Sequence, residues 1–344
     1  MRRIFLFCLA NVLFMTSAVL AADKVVVIPL GTSTTKALDA LEARVAELET
    51  LLAGLSRVLI NGNQDTLRFS GMNLQIVNGT DSTLDTNGLG NMIIGYNEER
   101  VTANTRSGSH NLVMGRNSNY SSCGGIVSGL LNTISGRYAS AIGGDNNTAS
   151  GSKSVVIGGA VNTASNDYSI SLGGQQNVSN AGTSTVIGGL QNEVTGPGSV
   201  IVGGSNNTAG GLATSISGGY GNSTSSNYSS ISGGQSNTAS GEYSSVSGGV
   251  SNQATATRSS VTGGQLNVAS GINSSVTGGY DNEASGLLSS ISGGQQNLAS
   301  GASASVSGGG LNTASGQAAS ISGSTNTTNS VDSCWKTGNY STCL

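Results

Sequence analysis

Few residues in this chain are equipped for chemistry. His110, in the polar stretch SGSHNL, is the only histidine, which excludes His-based triads and zinc sites built from several imidazoles. Its setting reads as a surface position. Acids in the later part of the chain are scattered: Asp145, Asp167, Glu193, Glu242, Asp281 and Glu283. Only Asp281 and Glu283 stand close together, and on a strand they would share a face. A paired-carboxylate hydrolase also needs a cleft, and the calcium-binding GGxGxD pattern does not occur. No catalytic, cofactor-binding or metal-ligating residue is assigned, and the chain reads as non-enzymatic. Tyr138, Tyr168, Tyr228 and Tyr243 occupy one column, five residues before a Gly-Gly pair. They read either as an exposed ladder touching glycans or protein, or as cover for glycine turns.

The cysteines and the N-terminus bear on compartment. Cys334 and Cys343 lie close together near the C-terminus, the pattern of a local disulfide in an oxidising environment. Cys123 is left over, either as a buried small apolar residue or as a partner for another chain. Arg2 and Arg3 precede an apolar run, Ile4 to Val19, and then Leu20-Ala21. That is the pattern of a cleaved signal peptide over residues 1–21; the run is short for a membrane anchor. Cys8 would leave with it. The mature chain is expected to be secreted or extracellular, or associated with the cell surface, without a membrane span. Net charge is −3 with no basic cluster, which argues against nucleic acid as a partner.

What must position any functional side chain is a repeat. Gly accounts for 53 of 344 residues, and charged residues for only 9%, a balance that suits disorder unless a period exists. A period does exist. Gly-Gly pairs begin at 143 and recur every 15 residues to 308, the signature of a solenoid. Two residues before each pair stands a Val/Ile column: Val156, Val186, Ile201, Ile216, Ile231, Val246, Val261, Val276, Ile291, Val306 and Ile321, broken by Ala141 and Ser171. Three residues after the second Gly stands Asn: Asn132, Asn147, Asn162, Asn177, Asn192, Asn207, Asn222, Asn237, Asn252, Asn267, Asn282, Asn297 and Asn312. Two residues further on, a column is mostly Ala, from Ala149 to Ala314.

Large residues facing small ones describe a thin core, buried only when coils stack. The spacing predicts an all-β parallel solenoid of about thirteen regular coils over residues 124–323. Each coil has two short strands, around SVS and NTA, separated by glycine turns. In-register Asn side chains are expected to form an amide ladder. The rod would be roughly 60 Å long. Just before the Gly pair, Ile142, Ile157, Leu172, Ile187 and Val202 give way to Ser or Thr from residue 217 onward. This column is either an outward apolar stripe suited to contact or a locally wider core.

Ahead of the array, Leu38, Leu41, Val45, Leu48, Leu52, Leu55 and Leu59 alternate at spacings of three and four. Three heptads predict a short coiled-coil helix within residues 22–60, with Arg44 and Glu49 placed to pair between parallel chains. An amphipathic helix packed on its own chain is the other reading. Residues 61–123 read as degenerate coils forming an N-terminal cap, and residues 324–344, with Trp335 and the two cysteines, as a C-terminal cap.

The units SVSGGxxNTASG and VVIGGAVNTAS resemble the head repeats of trimeric autotransporter adhesins, the YadA-like heads. The likeness covers roughly residues 90–323, and the heptads are similar to that family's coiled coils. It implies a left-handed β-roll, a homotrimer and attachment to an extracellular protein or glycan surface. Two features depart from the family: the 15-residue period with its regular Gly-Gly, and the ending NYSTCL, where the family has membrane-spanning strands. The expected function is an adhesive or structural surface protein. The alternative is a monomeric ice- or glycan-binding solenoid, although Glu193, Gln253, Glu283 and Leu298 interrupt the Thr column after the Asn residues.

Overall fold

The computed structural model describes residues 32–51, 55–60 and 64–343. The expected signal peptide lies outside them, as does Leu52. The chain divides into two compact units, residues 1–75 and 76–344.

In the first unit, helix α1 spans Thr32–Leu51. Its described seam residues Leu41 and Leu48 are more than half exposed, and Leu38 and Val45 are partly so. The heptads are overturned beyond that point. Strand β1, Leu55–Ile60, pairs antiparallel with strand β2, Gln64–Phe69, in register Leu55↔Phe69 to Ile60↔Gln64. Leu55 and Leu59 are therefore strand residues, not coiled-coil seam positions. Leucine spacing fits both periods. Val58, Ile60 and the Asn61-Gly62 dipeptide favour a hairpin, and Gly54 disfavours continuing the helix. The cap expected over residues 61–123 is corrected in the same way, because Gln64–Phe69 pairs antiparallel with β1 and is not a coil of the solenoid.

The second unit is a parallel β-solenoid of about 15 turns. One ladder starts at Met92–Ile94, passes through Leu112–Arg116 and Ile126–Leu130, and then steps by 15 residues from Val155–Ile157 to Ser320–Ile321. A second ladder of 15 strands runs from Asn119–Tyr120 to Thr328–Asn329. Between them, single bridges such as Ala160↔Gln175 and Tyr220↔Gln235 join successive coils. Before the regular array, consecutive strands of the first ladder are offset by 20 residues (Met92↔Leu112) and then 14 (Leu112↔Ile126).

The core follows the sequence columns. The Val/Ile residues and the Ala residues are essentially fully buried and form continuous clusters. Each buried Val or Ile contributes about 1.5–3 kcal/mol. A third buried column was not legible as such: Ser154, Ser169, Ser184, Ser229 and Ser259 each turn the hydroxyl onto the carbonyl three residues back, as in Ser154 Oγ to Gly151 O at 2.8 Å.

The Asn ladder exists, inside the core. Asn162 Oδ1 accepts from the backbone N–H of Asn177 in the next coil at 3.0 Å. Asn162 Nδ2 donates to Gly158 O of its own turn (3.3 Å) and to Gly174 O of the next (3.0 Å). The same pattern recurs through Asn312. It is mainly a side-chain-to-backbone ladder, with direct amide-to-amide bonds at Asn207, Asn282, Asn297 and Asn312. A fully buried amide must be satisfied in this way.

The second Gly of each pair is fixed by space as well as by φ. A Cβ on Gly234 would lie 2.3 Å from Gly249 O, at φ +90°. At the C-terminal end the core columns turn polar: Asn329 follows Ala314, and Lys336 follows Ile321. Residues 334–337 and 340–343 form an antiparallel hairpin closed by the Cys334–Cys343 disulfide. Cys123 is a free, buried thiol.

Candidate interaction surfaces

Three surfaces carry the distinctive side chains. The first is the residue just before the Gly pair. Ile142, Ile157, Ile187 and Val202 are 37–52% exposed, and Leu172 is partly exposed. The structure therefore makes this column a surface stripe, not a widened core. Strand alternation explains it: Val156 points in, so Ile157 must point out. From Ser217 to Ser322 the same position is hydroxylated.

A second apolar surface lies at the N-terminal end of the rod, separated from the stripe by Ser128, which stands between Met114 and Ile142 in the same column. Ile93 pairs with Val113, which pairs with Val127, so it occupies the core register. Val113 and Val127 are buried, yet Ile93 is 42% exposed, as are Met92, Ile94, Val77, Leu84 and Leu89 to similar or greater extents. Buried guanidinium contacts tie this irregular region to the regular coils. Arg100 donates to Asn117 O (2.7 Å), Asn132 O (2.9 Å), Leu131 O and Thr133 Oγ1. Burial, with Arg106 nearby, lowers its pKa from the ordinary value.

The third surface is the tyrosine corner. Each residue of this column has a left-handed backbone, including Tyr138, Lys153, Tyr168, Thr183, Ala213, Tyr228, Tyr243 and Arg258. All four predicted tyrosines are 43–51% exposed. Tyr138 packs over Gly124, whose Cβ position lies 2.7 Å from the ring, so this one does cover a glycine turn. Lys153 Nζ donates to the Tyr168 hydroxyl at 2.8 Å and lies 4.8 Å from its ring centroid. That hydrogen bond raises the Lys153 pKa above its ordinary value. Tyr228 and Tyr243 stack at 4.9 Å with an interplanar angle of 7°. Arg258 follows, 5.7 Å from the Tyr243 ring.

The residues first considered for chemistry lie apart from one another. His110 is half-buried, with Nδ1 sealed from solvent and without a hydrogen bond, unlike the open surface position expected. Asp281 sits in a left-handed turn and Glu283 on the next strand, both exposed on either side of buried Asn282. Among the described residues, no group of three or more His, Cys, Asp or Glu side chains is placed to hold a metal ion. No described helix is long and apolar enough to cross a membrane. Glu193, Gln253 and Glu283 are exposed in the column after the Asn residues, where an ice-matching lattice needs uniform Thr.

Comparison with protein-family models finds no match to this chain. Comparison with curated proteins finds none either. Function must therefore be argued from the surfaces themselves.

Proposed function

We propose that this chain is a secreted or cell-surface, non-enzymatic adhesive or structural rod, held as a homotrimer near its N-terminus. The observation that carries this reading is the asymmetry of the exposed apolar surface. Ile93, Ile94 and the stripe from Ile142 to Val202 are apolar, while the same rung from Ser217 onward is hydroxylated. Contiguous exposed apolar residues mark sites of association, and hydroxylated coils suit an extended, solvated presenter. Leu41 and Leu48 on α1 are exposed with heptad spacing, which suits pairing with the same helix of other copies. The resemblance of the repeat units to YadA-like heads agrees with three copies and with attachment to extracellular protein or glycan surfaces.

Light scattering on residues 22–344 and on residues 76–344 tests it. The reading expects a trimer for the longer chain and a smaller, concentration-dependent mass for the shorter. A monomer in both would overturn the trimer. It would leave the monomeric glycan- or ice-binding solenoid, of which the exposed tyrosine corner favours the glycan form.

A further inference from the structure

The tyrosine corner is interrupted in an orderly way. Between Tyr168 and Tyr228 the column carries Thr183, Gly198 and Ala213, so three rungs lack a large side chain. Cations stand on the outer sides of this gap: Lys153 engages Tyr168 from the rung before it, and Arg258 engages Tyr243 from the rung beyond. Tyr228 has one face against Tyr243, and their 4.9 Å separation matches the coil spacing, so the rings stack along the rod. The other face of Tyr228 looks onto the small rung at Ala213.

The residue before each ring is an Asx held by the preceding coil, so Asn227 is held on the gap side of its ring and Asp167 on the side away from the gap. Asp167 Oδ1 accepts from Ser152 N at 3.0 Å, and Asn227 Oδ1 accepts from Leu212 N at 3.1 Å. An Asx–Tyr pair thus stands at both ends of a shelf roughly 19 Å long, four strand spacings. Aromatic faces with a polar tip or neighbour suit ligands that are apolar on one face and hydroxylated at the edge. Saccharide rings are such ligands.

We propose that the shelf between Tyr168 and Tyr228 binds an oligosaccharide, stacked on Tyr228 and reaching Tyr168, with Asn227 bonding its hydroxyls. The inference rests on the adhesive reading and gives it a ligand class.

The test is calorimetric titration of the mature chain with cellohexaose, laminarihexaose, chitohexaose and mannohexaose. At least one is expected to bind saturably. Tyr228→Ala should weaken that binding tenfold or more, and Tyr168→Ala several-fold. Ala213→Tyr adds a ring at a rung whose left-handed backbone already accepts Tyr at 228 and 243. It should keep the fold by circular dichroism and abolish binding by occupying the shelf. If none of the four sugars binds, or if Ala213→Tyr binds like the parent, the site is overturned. Retained attachment of the parent chain to protein-coated surfaces in that case would separate failure of this site from failure of the adhesive reading.

Discussion

The coils from Ser140 to Val202 and those after Ser215 are wound from the same fifteen-residue unit, but they leave the first ladder differently. Where the rung before the Gly pair is Ile or Leu, the strand is three residues long, as in Val155–Ile157 and Thr185–Ile187. The first glycine then turns left-handed, with φ of +72°, +67°, +65° and +68° at Gly143, Gly158, Gly173 and Gly188. Its N–H reaches back to the previous coil, as in Gly173 N to Ile157 O at 2.8 Å. Where the rung is Ser or Thr, the strand is two residues long, as in Ser230–Ile231, and only the second glycine is left-handed, as at Gly234. Val202 marks the changeover: its rung is apolar, but its strand, Val200–Ile201, is already two residues long and Gly203 has φ +136°.

The largest effect expected is the same in both regions. Gly159→Ala and Gly234→Ala would each drive a Cβ to within 2.2–2.3 Å of the next turn's carbonyl. Each should cost about 3 kcal/mol or more in urea unfolding; clearly unequal costs would mean that the two regions do not share this turn. Reducing Cys334–Cys343 comes next, worth up to about 2–3 kcal/mol for so short a loop. Hydrogen exchange should show fraying confined to residues after 328, with both sets of coils unchanged.

The first glycine should then separate the regions. Gly158→Ala is expected to cost about 1–2 kcal/mol through left-handed strain, whereas Gly233→Ala, in open space without a positive φ, should stay within about 0.5 kcal/mol. Similar values at the two sites would break the comparison. Smallest in stability is the triple change Ile142→Ser, Ile157→Ser and Ile187→Ser, under about 1 kcal/mol per site. Light scattering should nonetheless show its mass falling toward monomer, and an unchanged mass would remove the stripe from the interface.

Much of this was legible because a strict period makes each column an experiment repeated many times. The inward Val/Ile and Ala columns, the two strands per coil and the terminal disulfide all follow from spacing. The destination of Leu55 and Leu59 did not, because three-and-four spacing of leucine is compatible with a strand, and the Asn61-Gly62 dipeptide after Ile60 carried the deciding sequence signal. The buried Ser column escaped because a small hydroxylated residue looks, in sequence, like a surface residue. Whether Ile157 faced in or out depended on the pleat, which alternation from Val156 could have settled. Left-handed positions such as Val161 (φ +59°) have no local signature, since the neighbouring coils impose them. The tyrosine shelf needed the rod's geometry to place Tyr168 and Tyr228 at the two ends of one gap.

Besides the bond to its own turn, each asparagine of the array reaches forward along the chain. Each Asn holds a carbonyl and a backbone N–H of the coil that follows, as Asn237 does with Gly249 O and Asn252 N, both across one turn. A coil is therefore unfinished until its successor arrives, and an array cut at any regular unit ends on an amide with nothing to hold. Only after Asn312 does the succession stop: Ser324 O and Thr327 N complete that amide, and Thr327 offers no amide of its own. The length of the rod is thus written at its last coil, and a shortened or lengthened array stays sound only if that closing sequence moves with its end.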